Sequence, residues 1–216
     1  MRQKRQAILL LLTAGLLSGC FGPKPEEELY TIFEGAVKKE QSLPEKATQL
    51  EKLEKHTYEL YDKILQDGKE DSAAAGQSIQ QALKDVQERE TLLGEEQKLL
   101  EAARQEMKAA AGKEKQLKDD SLKKQAAKVE ALYTSRYDAF QKMRSSYIQL
   151  LGAERQLYTM LQEKQVSLKA ISDQVKAVNE LNKQVADERT AFNEHTKNYN
   201  REKVAFYRTA GLKIKE

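Results

Sequence analysis

Residues 45–216 contain no proline. Proline lacks a backbone donor and clashes with the preceding turn, so it is the residue that long helices exclude. The same stretch is rich in Ala, Glu, Lys, Leu and Gln, which are among the better helix formers. Charged residues make up 33% of the chain, and polarity on that scale also suits disorder. Periodicity decides between the two. Stepping alternately by four and three residues from Leu122 reaches Phe206 in 25 positions, of which 18 are apolar, where the chain's 39% average gives about ten. A seam with a 3.5-residue repeat is the mark of helices packing knobs-into-holes, and a disordered chain does not hold its phase.

The seam is broken by polar residues at Arg136 and Glu154, then at Lys164, Asn182, Arg189, Thr196 and Lys203. A polar residue in a seam either fixes helix register or marks a surface that meets a partner; Asn182 is the best register candidate. Helix punctuation lies elsewhere. Glu26-Glu27-Glu28 places acids in a first turn, and Leu29, Ile32, Phe33, Ala36 and Val37 give that helix its apolar face. Ser42-Leu43-Pro44-Glu45 reads as a restart, Asp67-Gly68 as a stop, and Gly112 through Asp119-Asp120-Ser121 as a turn with a capping aspartate. Ser167 and Ser172-Asp173 are potential caps. Breaks near 69, 115 and 167 cut the chain into four segments of about forty residues, each roughly 60 Å long. Matched lengths predict an all-α fold, an elongated antiparallel helical bundle or coiled coil running up-down-up-down. The alternative is a hairpin of two long helices, with 122–206 unbroken.

Ahead of the helical region, Arg2, Lys4 and Arg5 precede an apolar run from Ala7 to Leu17 and then Leu17-Ser18-Gly19-Cys20. Eleven apolar residues are too few for a permanent span, which needs about twenty; the pattern is that of an export signal. Small residues before a cysteine, in place of an ordinary cleavage site, resemble the lipobox of bacterial lipoproteins. There the thiol takes a diacylglycerol and becomes the mature N-terminus. The expected organisation is a signal peptide at 1–19, a lipidated tether at 20–25 beginning with Cys20, one helical-bundle domain over 26–210 and a C-terminal tail at 211–216. The chain carries 37 basic and 34 acidic side chains, and the three bases before Cys20 leave 34 of each in the remainder. Without a basic excess there is no footprint for nucleic acid. Cys20 is the one cysteine, so packing alone must hold the exported fold.

Chemistry-bearing motifs are scarce. His56 and His195 are the two histidines, and neither follows a glutamate at the Glu-x-x-His spacing of carboxylate di-iron bundles. His56 and Glu59 share a helical face, as surface pairs do. No metal site, cofactor or catalytic residue is expected, since the nucleophile, zinc and phosphate-loop motifs are all missing. Among the nine tyrosines, Tyr133, Tyr147 and Tyr199 lie in the seam, whereas Tyr58, Tyr61, Tyr137, Tyr158 and Tyr207 lie outside it. The simple reading widens the core stripe; the functional one stacks rings on sugars. Lys113, Lys115, Lys118, Lys123, Lys124 and Lys128 form a basic cluster offset by Glu114, Asp119 and Asp120. It reads as a solvated tip, or as a contact for anionic wall polymer or lipid headgroups.

From Cys20 through Pro25-Glu-Glu-Glu-Leu-Tyr-Thr-Ile-Phe-Glu34, Leu50-Glu-Lys-Leu-Glu54 and Glu59-Leu-Tyr-Asp-Lys-Ile64, the chain resembles the YkyA-type family, cell-wall-binding lipoproteins of Bacillus-like Gram-positive bacteria. The resemblance extends over the whole mature chain and is sharpest in its first sixty or so residues. It implies an envelope lipoprotein that contacts peptidoglycan, and Cys20 is the position it assigns. The combined expectation is a non-enzymatic bundle on the outer face of the bacterial cytoplasmic membrane, held by a diacylglycerol on Cys20 and touching peptidoglycan. The alternative is a coiled-coil adaptor or regulator of an envelope protein. A solute-binding protein would instead need an α/β fold with a cleft.

Overall fold

The computed structural model describes residues 22–67, 72–163 and 165–213; Cys20 and the leader lie outside them. Five α-helices follow one another: α1 (Pro25–Lys39), α2 (Leu43–Asp67), α3 (Ser72–Lys108), α4 (Asp120–Gln162) and α5 (Leu168–Thr209). A short 3-10 turn at Glu114–Gln116 lies between α3 and α4, and no strand occurs among the described residues. The stretch 122–206 is therefore two helices. Ser167 ends the ambiguity by capping α5, its hydroxyl accepting the Ala170 N–H at 3.2 Å. Asp119 caps α4 by accepting from Ser121 and Leu122 at 2.7 and 3.0 Å. Such caps satisfy donors that a helix start leaves without partners.

Pro44 explains the split between α1 and α2. It has no N–H to return to the Glu40 carbonyl, and the chain instead turns tightly through 40–42, with the Leu43 N–H on the Glu40 carbonyl at 2.9 Å. The two helices then continue as one kinked arm antiparallel to α3. Its register is regular: Glu28 pairs with Lys113, Gly35 abuts Glu106, Lys46 pairs with Glu95 and His56 with Asp85. At Gly35 a Cβ would lie 2.9 Å from the Glu106 carboxylate, so glycine there permits the close approach.

α2 packs on α3, α3 on α4 and α4 on α5, while α1 covers the C-terminal half of α3. The arrangement is an up-down-up-down all-α bundle about 65 Å long, from 43 residues of α4 at 1.5 Å each. Three apolar layers line its axis. One, around Leu29, Phe33, Met107, Val129 and Phe206, lies at the end carrying Pro25. A small middle layer holds Leu100, Phe140 and Met143. The third, around Leu60, Ile64, Ile79, Val86, Leu157 and Val178, fills the far half. The α4 seam is the spine of all three: from Ala126 to Leu157 every seam position is buried, Arg136 and Glu154 included. The α5 seam is looser, with Leu168 85% exposed. Asn182 is exposed as well. It therefore cannot set register from inside the core, because its amide faces water.

Candidate functional site

On the fourth side of the bundle the backbones of α2 and α5 stay apart, leaving a groove floored by α3 and α4. Three adjoining depressions follow it away from the α1–α2 turn. The first, about 300 Å³, is lined by Val37, Leu43, Arg136, Phe192 and Tyr199. The second, about 250 Å³, shares Leu43 and Phe192 and adds Leu50, Glu96, Phe140 and Tyr147. The third, about 510 Å³, is reached past Arg189 and is lined by Tyr58, Tyr61, Asp62, Arg89, Glu154, Asn179 and Asn182 among others.

The groove carries a series of charge pairs that take up Arg136, Glu154, Arg189 and Lys203 of the seam, while Lys164 lies outside the described residues. Arg136 grips Glu40 with contacts of 2.7 and 2.8 Å, donates from Nε to the Thr196 hydroxyl at 2.9 Å, and has the Tyr133 hydroxyl as a fellow donor to Glu40 at 3.0 Å. Arg189 reaches across the groove to both oxygens of Glu54, which also accepts from the Tyr147 hydroxyl. Arg89 of α3 pairs with Glu154 of α4, the two side chains 2% and 8% exposed. Lys203 and Tyr207 share Glu34 at 2.9 and 2.8 Å. Within this cluster, burial pushes the Tyr147 and Tyr158 hydroxyls well above the ordinary phenol range, helped by Glu54 and Glu154 respectively. Glu96 is different. It is buried, has no ion pair within 4 Å among the described residues, and burial raises its carboxyl to about 7 against the pull of Arg189 and Lys46.

A charged side chain buried opposite another keeps its partner's position fixed and leaves neither group available. Glu40 and Glu154 are engaged in this way, Glu54 is held by the part-exposed Arg189, and the hydroxyls of Tyr133 and Tyr147 donate to carboxylates. What the third depression offers a visitor lies nearer its mouth: the ring of Tyr58, 68% exposed, the half-buried Tyr61, and the exposed Asp62, Asn179 and Asn182. Flat rings beside amide and carboxylate groups offer stacking and hydrogen bonding on one surface.

Of the tyrosines flagged in the sequence, Tyr137, Tyr158 and Tyr207 widen the core and Tyr58 does not. His56 pairs with Asp85 across α2–α3 at 2.6 Å, not with Glu59. No cluster of three or more His, Cys, Asp or Glu suited to a metal ion occurs among the described residues. Sequence reasoning missed the α2–α5 groove and its pairs. Arg136 and Glu154 interrupting an otherwise apolar seam were the available signal. No described helix is long and apolar enough to cross a membrane.

The profile of the YkyA family, described as "Putative cell-wall binding lipoprotein", matches residues 24–209. A curated relative, the uncharacterized lipoprotein YkyA of Bacillus subtilis (strain 168), is 25% identical over 201 residues, 93% of this chain and 90% of the relative. A crystal structure of a conserved protein of unknown function from Staphylococcus aureus superposes with a TM-score of 0.63 at 14% identity, covering 87% of this chain and 98% of that one. That likeness is one of fold.

Proposed function

This chain belongs to the YkyA lipoprotein family, and from that premise we propose that it is a non-enzymatic extracytoplasmic lipoprotein whose bundle contacts peptidoglycan through the far half of the α2–α5 groove. Cys20, carrying a diacylglycerol thioether, holds it on the outer face of the cytoplasmic membrane. Two acyl chains suffice, since each buried CH2 contributes about 0.8 kcal/mol and one chain alone binds marginally.

The observation that carries the reading is the position of the third depression. Tyr58 lies 33 residues beyond Pro25 along the α1–α2 arm, some 50 Å from the tethered end. Exposed aromatic rings beside Asn179 and Asn182 suit the faces, hydroxyls and N-acetyl groups of an amino-sugar polymer: the rings cover apolar sugar faces and the amides exchange hydrogen bonds.

Two experiments test it. Purified peptidoglycan should retain the protein, and the Tyr58→Ala variant, which changes a ring 68% exposed, should be released while melting at an unchanged temperature. Equal retention of both removes the groove from the reading. Replacing Cys20 by Ala should move the protein out of the membrane fraction; unaltered fractionation refutes the anchor. The exposed apolar side chains Leu65 and Leu168 favour a second reading, an envelope-protein partner at the far end. Loss of wall retention together with a stoichiometric co-purifying protein that Leu168→Asp releases would select it.

A further inference from the structure

The end of the bundle that carries Pro25 is assembled from three places in the chain. The α1 N-terminus, the turn between α3 and α4, and the C-terminus of α5 meet there: Glu28 pairs with Lys113, the Tyr30 and Tyr207 rings lie 4.8 Å apart, and Leu212 packs on the same apolar layer as Leu29 and Leu117. Its charge is lopsided. Of the turn lysines, Lys113, Lys123 and Lys128 are matched to Glu28, Asp120 and Glu202. Lys115, Lys118 and Lys124 are exposed with no ion pair within 4 Å among the described residues, and so are Lys108, Arg208 and Lys213. The remaining acids are fewer. Asp119 caps α4 and Glu27 accepts the Lys24 N–H, and both keep their charge; across 24–28, 108–124 and 208–213 nine bases stand against six acids, an excess of three. A chain that is neutral overall from Cys20 onward thus concentrates positive charge at one end.

We infer that this collar binds the headgroups of anionic lipids and stands the bundle upright on the bilayer. The inference rests on the lipidated Cys20 of the proposed function for its geometry: Pro25 follows Cys20 by five residue steps, which span at most about 18 Å. That tether confines the collar near the surface, where the attraction extends over a Debye length of about 8 Å at physiological salt. Each basic residue close to an anionic surface favours contact by about fivefold. An anionic wall polymer, by contrast, would be met first at the opposite end.

The lipidated protein, purified from membranes, carries no cysteine thiol other than the modified Cys20, so Gln116→Cys takes a single fluorophore at the collar and Gln165→Cys one at the far end. Each is reconstituted into vesicles of phosphatidylcholine alone or of an equal mixture with phosphatidylglycerol, with a headgroup-attached quencher. At residue 116 contact with the quencher should rise about fivefold or more in the anionic vesicles. It should return to the neutral value when salt shortens the Debye length to about 3 Å, and the label at residue 165 should not respond. Introducing Lys115→Glu, Lys118→Glu and Lys124→Glu together should abolish the rise while circular dichroism stays unchanged; should helicity fall, the milder Lys→Gln set replaces it. Equal quenching in both vesicles overturns the inference. So does a response to soluble poly(glycerol phosphate) in place of lipid, which would assign the collar to a wall polymer. The intact mass of the purified protein reports the diacylglycerol independently. If it is missing, the anchor fails, and flotation of the unlipidated protein with anionic vesicles still tests the collar.

Discussion

Replacing Arg89 by Met is the most demanding test of the groove floor. The Arg89 and Glu154 side chains are almost fully enclosed, at 2% and 8% exposure. Methionine preserves much of the volume but strands the Glu154 carboxylate in a site where burial already works against its ionisation. Breaking a buried pair from one side costs about 3–5 kcal/mol. For a chain of this length each kcal/mol shifts the melting midpoint by about 2–4 °C, so a fall of roughly 10 °C is expected. The Arg89→Met/Glu154→Leu double variant removes both charges and should recover all but about 1 kcal/mol, because a well-packed apolar pair can match a buried ionic one. Urea titrations followed by far-UV circular dichroism, run on both single variants and the double variant, give the coupling energy directly. A single variant within about 1 kcal/mol of the parent, or a double variant no better than the single, refutes a dry and mutually dependent pair.

Glu96 and Gly112 provide two further tests. Burial raises the folded-state pKa of Glu96 from 4.5 to about 7, so the folded state favours the protonated acid; its contribution is complete below pH 4.5, declines as pH rises and is gone above about 7. Glu96→Gln should remove its share of that decline and stabilise the protein at pH 8 by up to about 2 kcal/mol, read as a smaller difference in urea midpoint between pH 5 and pH 8. Glu130, raised to about 7 by burial and by Glu114, supplies a residual slope in the same window. Gly112 has φ 85° in the turn after α3, and Gly112→Ala should cost about 1 kcal/mol by the same titration through backbone strain alone.

Much of the fold was legible because helices announce themselves locally. The proline at 44, the glycine at 112, Asp119 and Ser167 all act where they were expected to, since a cap or a breaker works within a turn or two of chain. The α4 seam was readable for the same reason: its partners on either side enforce one buried face over its length. The α5 seam was less so. Its first half packs mainly on α4 and borders the groove, so Asn182 and Leu168 hold the right phase yet face solvent. The groove itself could not be seen in advance. Glu40 finds Arg136, and Glu54 finds Arg189, across 96 and 135 residues of sequence, and a side chain's helical phase does not reveal which carboxylate on another helix it will meet.

The antiparallel course of the helices brings Leu212 back beside Leu29, so the start of α1 and the end of α5 lie at one pole of the described bundle. If the proposed anchor at Cys20 holds, a reporter fused after Glu216 would sit in the crowded layer next to the lipid, with little freedom to sample the space above it. A short epitope spliced between Gln165 and Ser167 would instead be carried at the opposite pole, the height of the whole shaft away, where antibodies or proteases added to cells from outside would meet it first.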